Sequence, residues 1–238
     1  MAAAPATVAE CELSQTQWNT AIAVAGGGSS WEDRGLRWSW QEHDRQLMLN
    51  FPRAAHPAAV RDGLEFALER NARIVGAWLS PETDVRTLES AGFERGWEPW
   101  WMAARLDAMK GSDDRRVVLC TDVPEYGPGG QRLLSLARGE QPRARHAVAR
   151  VDGHFAGRAW SLVDGPVAGV YDMEVWPRFQ RRGLGRALLR IVCQAARAAG
   201  ANRAVLNATP QGERLYSAEG FVHVGRGITY WYHLSRAP

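Results

Sequence analysis

Two stretches of this chain end alike, and that constrains its folding more than any other feature. Leu88-Glu89-Ser90-Ala91-Gly92-Phe93 parallels Tyr216-Ser217-Ala218-Glu219-Gly220-Phe221 at an offset of 128 residues. Upstream, Leu47-Met48-Leu49-Asn50-Phe51-Pro52 resembles Asp172-Met173-Glu174-Val175-Trp176-Pro177. A helix candidate follows each, over residues 58–70 and 183–199, and then a strand candidate, 74–79 and 204–207. At the same offset Leu106 meets Leu234. The period is far too long for a solenoid. The pattern reads as two copies of one fold, the first shortened and diverged. The polar stretch Met109-Lys110-Gly111-Ser112-Asp113-Asp114 separates them. The expected organisation is a copy over 1–109, a linker over 110–114 and a second copy over 115–238.

The second copy reads more clearly. Strand candidates at 117–119, 147–151, 155–163 and 167–176 are joined by a helix candidate at 129–138 and by two turns, Asp152-Gly153-His154 and Asp164-Gly165-Pro166. Over residues 183–199, Leu184, Leu188, Ile191, Val192 and Ala195 recur at helical spacing, and Gly200 ends the run. Thr209-Pro210 is an N-cap followed by proline at the first helical position. That helix stops at Gly220, and the last strands fall over 221–234. The order predicts an α+β fold, a mostly antiparallel sheet flanked by helices with one parallel step around the Gly183 helix.

Composition removes several function classes. The formal net charge is +3, carried almost wholly by arginines interspersed with carboxylates; the only lysine is Lys110. A nucleic-acid binder concentrates such charge on one face, so no nucleic-acid partner is expected. Cys11, Cys120 and Cys193 form no C-x-x-C pair, and the six histidines show no metal spacing, so neither a disulfide framework nor a metal site is expected. Residues 1–15 lack a basic region and contain Glu10 and Glu12, unlike a signal peptide, and no apolar run approaches the ~18 residues of a membrane span. A cytoplasmic protein with reduced thiols and no membrane partner is expected; its oligomeric state is left open.

The chemistry centres on Gln180-Arg181-Arg182-Gly183-Leu184-Gly185, between a strand ended by Pro177 and a helix. Glycines there let the backbone approach a ligand, while the free N–H groups and the dipole at the helix start favour an anion such as a pyrophosphate. A dinucleotide fingerprint would need a third glycine where Leu188 stands, and a Walker loop would need a lysine.

From Tyr171 to Phe221 the chain resembles the GNAT (GCN5-related) acetyltransferase superfamily. Residues 172–177 look like the family's fourth strand, and Gln180-x-x-Gly183-x-Gly185 looks like its coenzyme A loop. Leu206-Asn207-Ala208-Thr209-Pro210 with Leu215-Tyr216-x-x-x-Gly220-Phe221 is similar to its fifth strand and following helix. The first copy has Ala54-Ala55-His56-Pro57 at the loop position and Leu88 where Tyr216 stands. The resemblance therefore implies a tandem GNAT-like chain with a degenerate N-terminal copy. It implies acetyl-CoA as co-substrate, with the main chain at Met173 to Val175 pairing with the pantetheine arm. The amides of Arg181, Arg182, Gly183, Leu184, Gly185 and Arg186, with Gln180 and Asn207, complete the implied cofactor-binding set. Tyr216 would protonate the leaving thiolate.

A base is needed because an amine of pKa near ~10 is mostly protonated at neutral pH. Asp172 and Glu174 share a face if their strand is regular, and the faces change if it bulges, as it does in this family. An outward, solvated pair is the alternative. The expected activity is transfer of an acetyl group from acyl-CoA to a primary amine in a ternary complex. The rival is a non-catalytic acyl-CoA-binding regulatory or interaction module.

Overall fold

The computed structural model describes residues 5–234. The first half contains α1 (Val8–Ala25), β1 (Ser29–Asp33), β2 (Leu36–Gln41), β3 (Gln46–Asn50), α2 (Pro57–Glu69), β4 (Ile74–Leu79), α3 (Arg86–Ser90), β5 (Glu94–Arg95) and β6 (Trp100–Arg105). The second half contains β7 (Val117–Leu119), α4 (Pro128–Leu133) with a 3-10 turn (Leu134–Ala137), β8 (Ala144–Val151), β9 (His154–Asp164) and β10 (Val167–Val175). After a second 3-10 turn (Pro177–Phe179) come α5 (Leu184–Ala198), β11 (Arg203–Ala208), α6 (Pro210–Ala218), β12 (Val222–Arg226) and β13 (Ile228–His233). Among the described residues no helix is long and apolar enough to cross a membrane.

Two sheets result, in the orders β1-β2-β3-β4-β13-β5 and β12-β6-β11-β10-β9-β8-β7. Each has one parallel pair, β3 with β4 and β10 with β11. In each, the crossover is the long helix that follows the first of those strands, α2 or α5. The sheets match strand for strand, with β7 the addition in the larger one. This is the α+β, twice-repeated fold expected of the sequence, with one exchange. Strand β13 pairs with β4 in the first sheet, from Ile228 opposite Leu79 to His233 opposite Ile74. Strand β6 pairs with β11 in the second, from Arg203 opposite Arg105 to Ala208 opposite Trp100. The final strand of each half thus completes the sheet of the other half.

The chain accordingly forms two compact units that are not consecutive in sequence. One comprises residues up to Trp18 with Trp100–Gly225, the other Asn19–Pro99 with the residues from Arg226 on. A division into 1–109 and 115–238 does not describe these units: residues 110–114 lie inside the first of them. The physical reason is that β6 and β13 are both short, aromatic-rich strands with buried residues, and that character marks a strand without specifying its neighbours. The span 221–234, expected as successive strands, is likewise divided, with β12 beside β6 and β13 beside β4.

In the larger unit, α5 lays Leu184, Ala187, Leu188, Val192 and Ala196 on one face of the sheet, against Ala147, Ala149, Ala159, Ala168, Val170 and Leu206. Small alanines on the strands let the helix approach closely. The opposite face carries Trp160, Tyr171 and His146. There the first turns of α1 contribute Trp18, which stacks on Tyr171 at 4.7 Å between ring centroids, and Ser14, whose hydroxyl lies 2.6 Å from that of Tyr171. In the smaller unit Leu36, Trp38, Trp40, Leu47 and Leu49 form the core with Val60 and Ala67 of α2.

Candidate active site

The parallel pair at the centre of the larger sheet comes apart. Strands β10 and β11 are in register from Val167 opposite Arg203 to Val170 opposite Leu206, and no further. Beyond that point β10 runs on to Val175 and β11 to Ala208 without pairing to each other. The main chain of Met173 to Val175 therefore lines an opening in the sheet, along an edge that β11 does not pair.

A bulge marks where the opening begins. Tyr171 lies opposite Trp160 and Glu174 opposite Arg158, so three steps on β10 match two on β9. Asp172 takes a left-handed backbone, with φ of 46°. The adjacent strand accommodates this because position 157 is glycine: a Cβ there would lie 2.5 Å from the Glu174 carbonyl oxygen. The bulge changes which face the carboxylates occupy. In a regular strand Glu174 would lie on the face opposite to Tyr171; with the extra residue it shares the face of Tyr171, Trp160 and Arg158. Met173 and Val175 pack against the core under α5 instead.

The loop at 180–186 has the form an anion site needs. Gly183 is the N-cap of α5, at φ of 81°, where a side chain would be strained. Gly185 lies close to α6: a Cβ there would come within 3.2 Å of the Leu215 side chain. Arg181 is also left-handed, with φ of 62°. The Ala187 N–H bonds the Gly183 carbonyl, which leaves the amides of Leu184, Gly185 and Arg186 at the open helix start. Two side chains hold the loop: Gln180 Nε2 donates to the Val175 carbonyl at 2.9 Å, and an Arg116 guanidinium N–H donates to the Arg182 carbonyl at 3.0 Å. Gln180 thus supports the loop through its side chain. Arg178 and Arg182 stack on the Phe179 ring, at 4.6 and 5.7 Å from its centroid.

Helix α6 starts as the sequence indicated: Thr209 accepts from the Gly212 N–H at 3.2 Å, and Pro210 follows. It carries Tyr216, buried beside Phe221 and in the core cluster of α5. Burial pushes the Tyr216 phenol up to about 12, so it stays protonated and able to donate at neutral pH. At the end of this helix the buried carboxylate of Glu219 binds both Arg186, at 2.9 Å, and Arg190, at 2.6 Å. Those two bonds fix α6 to the first turns of α5, and so fix the loop amides relative to Tyr216. Asn207, on the free end of β11, donates to Gln15 of α1 at 2.7 Å.

The two carboxylates differ in their surroundings. Asp172 is exposed but paired, accepting from an Arg158 N–H at 3.0 Å. Glu174 is exposed at the opening. Arg158 was not singled out by any motif. Its guanidinium lies 5.8 Å from the ring centroids of both Tyr126 and Trp176. Behind it, the Tyr126 hydroxyl is 2.9 Å from His146 Nε2, and His146 Nδ1 is 3.0 Å from the Cys120 carbonyl. Burial pushes His146 down to about 4, so it is neutral at pH 7. A carbonyl only accepts, so Nδ1 carries the proton, and Nε2 accepts from the Tyr126 hydroxyl.

The corresponding place in the smaller unit is closed. Strands β3 and β4 stay in register from Gln46 opposite Ile74 to Asn50 opposite Trp78, and the Phe51 N–H adds a bond to the Trp78 carbonyl at 2.8 Å. The buried Asn50 side chain is held by Asn19 and Ser39. Helix α2 begins with Pro57, which removes one of the amides an anion would use.

Residues 119–221 match the model of the Acetyltransferase (GNAT) family. No curated protein matches the chain in sequence. Among solved structures it is similar to a GCN5-related N-acetyltransferase from Kribbella flavida, with 16% identity, 96% of this chain and 98% of that one covered, and a TM-score of 0.63. It is also similar to a GNAT-family protein from Novosphingobium aromaticivorans DSM 12444, with 22% identity, coverages of 92% and 97%, and a TM-score of 0.60. A third is a tandem GNAT protein from the clavulanic acid biosynthesis pathway, with 13% identity, 99% of each chain covered and a TM-score of 0.56. At these identities the likeness speaks to fold. Residues 119–221 thus match the GNAT acetyltransferase family, and the chain shares its fold with solved GNAT structures, a tandem one among them.

Proposed function

We propose that this protein transfers an acetyl group from acetyl-CoA to a primary amine by direct attack, with both substrates bound together. The observation that carries this reading is the opening between β10 and β11 past Val170 and Leu206, with the glycine-capped start of α5 beside it. An extended thioester arm can pair along Met173 to Val175 while its pyrophosphate meets the amides of residues 181–186. Glu174 takes a proton from the amine, directly or through one water. The amine nitrogen then bonds to the carbonyl carbon as the carbon–sulfur bond breaks, and the new amide nitrogen releases its second proton to solvent. Tyr216 gives its proton to the departing thiolate and regains one from solvent. Asp172 serves this scheme by shaping the bulge. The closed strand pair in the smaller unit supports one site per chain.

The test combines titration calorimetry with acetyl-CoA and a panel of primary amines (an aminoglycoside, a polyamine, an amino acid and a peptide N-terminus) followed by release of free CoA. One binding site and turnover with at least one amine are expected. Gly183→Asp and Gly185→Asp should each abolish acetyl-CoA binding, because each adds bulk and negative charge where an anion must sit. Two equivalent sites would overturn the assignment of one site. Tight binding with no CoA release from any amine would favour a non-catalytic acyl-CoA binder.

A further inference from the structure

Arg158 serves none of the roles described so far, and its position is unusual. It lies on β9 directly opposite Glu174, at the only point where the ladder between β9 and β10 shifts register. It bonds Asp172, the one residue of β10 held in a left-handed backbone. Aspartate enters that region more readily than most residues, yet at a cost that glycine does not incur, and the Arg158 bond is placed to offset that cost. The guanidinium is itself fixed from behind. Tyr126 and Trp176 flank it at equal distance, and Tyr126 is tied through neutral His146 to the main chain of Cys120. A rigid chain of contacts thus runs from the edge of the sheet to the bulge.

We propose that Arg158 is the positioning residue of the acyl-transfer site: it holds Asp172 in the left-handed conformation, and so keeps Glu174 on the face of Tyr171 and Trp160. This rests on the acyl-transfer reading given above. Arg158 touches no reacting atom. Its effect passes through the backbone at residue 172 to the Met173–Val175 main chain and the Glu174 carboxylate. Without it the strand can relax towards a regular register, which would turn Glu174 to the α5 face and rotate the free main-chain groups of the opening.

The proposal makes a prediction that a general packing role does not. Glycine adopts a left-handed backbone without resistance. If Arg158 acts only by holding residue 172 there, Asp172→Gly should make Arg158 dispensable. Arg158→Met should lower kcat for the best amine of the panel by on the order of a hundredfold, the scale of a misplaced reacting group. Arg158→Lys, which keeps the charge without the planar fork, should fall in between. Adding Asp172→Gly to Arg158→Met should restore at least tenfold of the lost kcat. Hydrogen exchange of the 171–176 segment supplies a readout independent of turnover. Arg158→Met should speed exchange there by on the order of tenfold or more relative to β8, and the double variant should reverse this.

A double variant as slow and as fast-exchanging as Arg158→Met would overturn the proposal, as would an Arg158→Met protein indistinguishable from wild type in both readouts. A wild-type protein that turns over no amine would sink the acyl-transfer reading instead. The exchange experiment would then still decide whether Arg158 holds the bulge.

Discussion

Removing residues 1–110 should destroy the larger unit, although the matched family segment would remain whole. Strand β6 lies between β11 and β12, so a chain beginning at Gly111 has a gap one strand in from the edge of its sheet, and β12 loses the neighbour that joins it to the rest. The loss includes Trp101, Met102 and Leu106, each at 1% exposure. It also includes Trp18 and Ser14 of α1, which cover Tyr171. Truncating a buried large side chain typically costs about 2–5 kcal/mol, so losing three puts the deficit on the order of 10 kcal/mol. Whole-domain stability is about 5–15 kcal/mol, so little or nothing remains. The fragment also keeps β13, whose buried Tyr230 and Thr229 would have no sheet to enter. The assay is thermal unfolding by circular dichroism, together with CoA release using an amine accepted by the full chain. The fragment from Gly111 should show no cooperative transition and no turnover. A fragment begun at Glu98 regains β6 and should recover part of the transition. If the shorter fragment instead unfolds cooperatively within a few degrees of the full chain and turns over normally, the exchanged strand contributes nothing and the reasoning fails.

Two further outcomes are expected. Tyr216→Phe should lower turnover about 10²–10⁴-fold with acetyl-CoA affinity nearly intact, because a proton donor acts as the thiolate leaves; unchanged turnover in a chemistry-limited assay would return Tyr216 to packing alone. His146 should make stability fall with acidity. Its folded value, about 4, lies below its usual 6.5, so the unfolded chain binds the extra proton. The full contribution is then present above pH 6.5 and is lost as pH falls towards 4, at most about 3 kcal/mol. Melting temperature against pH should slope in that window, and His146→Gln should flatten it; equal slopes would discount the histidine.

What could be read from the sequence was local. Thr209-Pro210, the hairpin at Asp152-Gly153 and the glycine at 183 each impose a backbone conformation by themselves, and each stands where the sequence placed it. The exchange of β6 and β13 was not legible, since alternation reports which side chains are buried and not which strand lies alongside. Helix α1 was missed because its buried positions include Ser14, Gln15, Thr16 and Asn19, which leave no apolar stripe. Strand β2 did carry a signal: Leu36, Trp38 and Trp40 alternate, and all three are buried. At the site, the loop was visible and the carboxylate geometry was not. Whether Asp172 and Glu174 face α5 or the other side depends on one inserted residue, which Gly157 of a different strand accommodates and beside which Arg158 of that strand bonds Asp172. The fit of Arg158 between Tyr126 and Trp176 joins residues far apart in sequence, and no motif reports it.

The exchange also sets an order of events during synthesis. Strand β4 leaves the ribosome about 150 residues before β13, the strand that pairs along its length. At about 5–20 residues per second that interval lasts from several seconds to half a minute. Throughout it the smaller sheet presents β4 as an open edge, with Val75, Ala77 and Leu79 in a row that the finished fold buries completely. Nascent chains caught in this interval are the ones most exposed to pairing with one another through that edge.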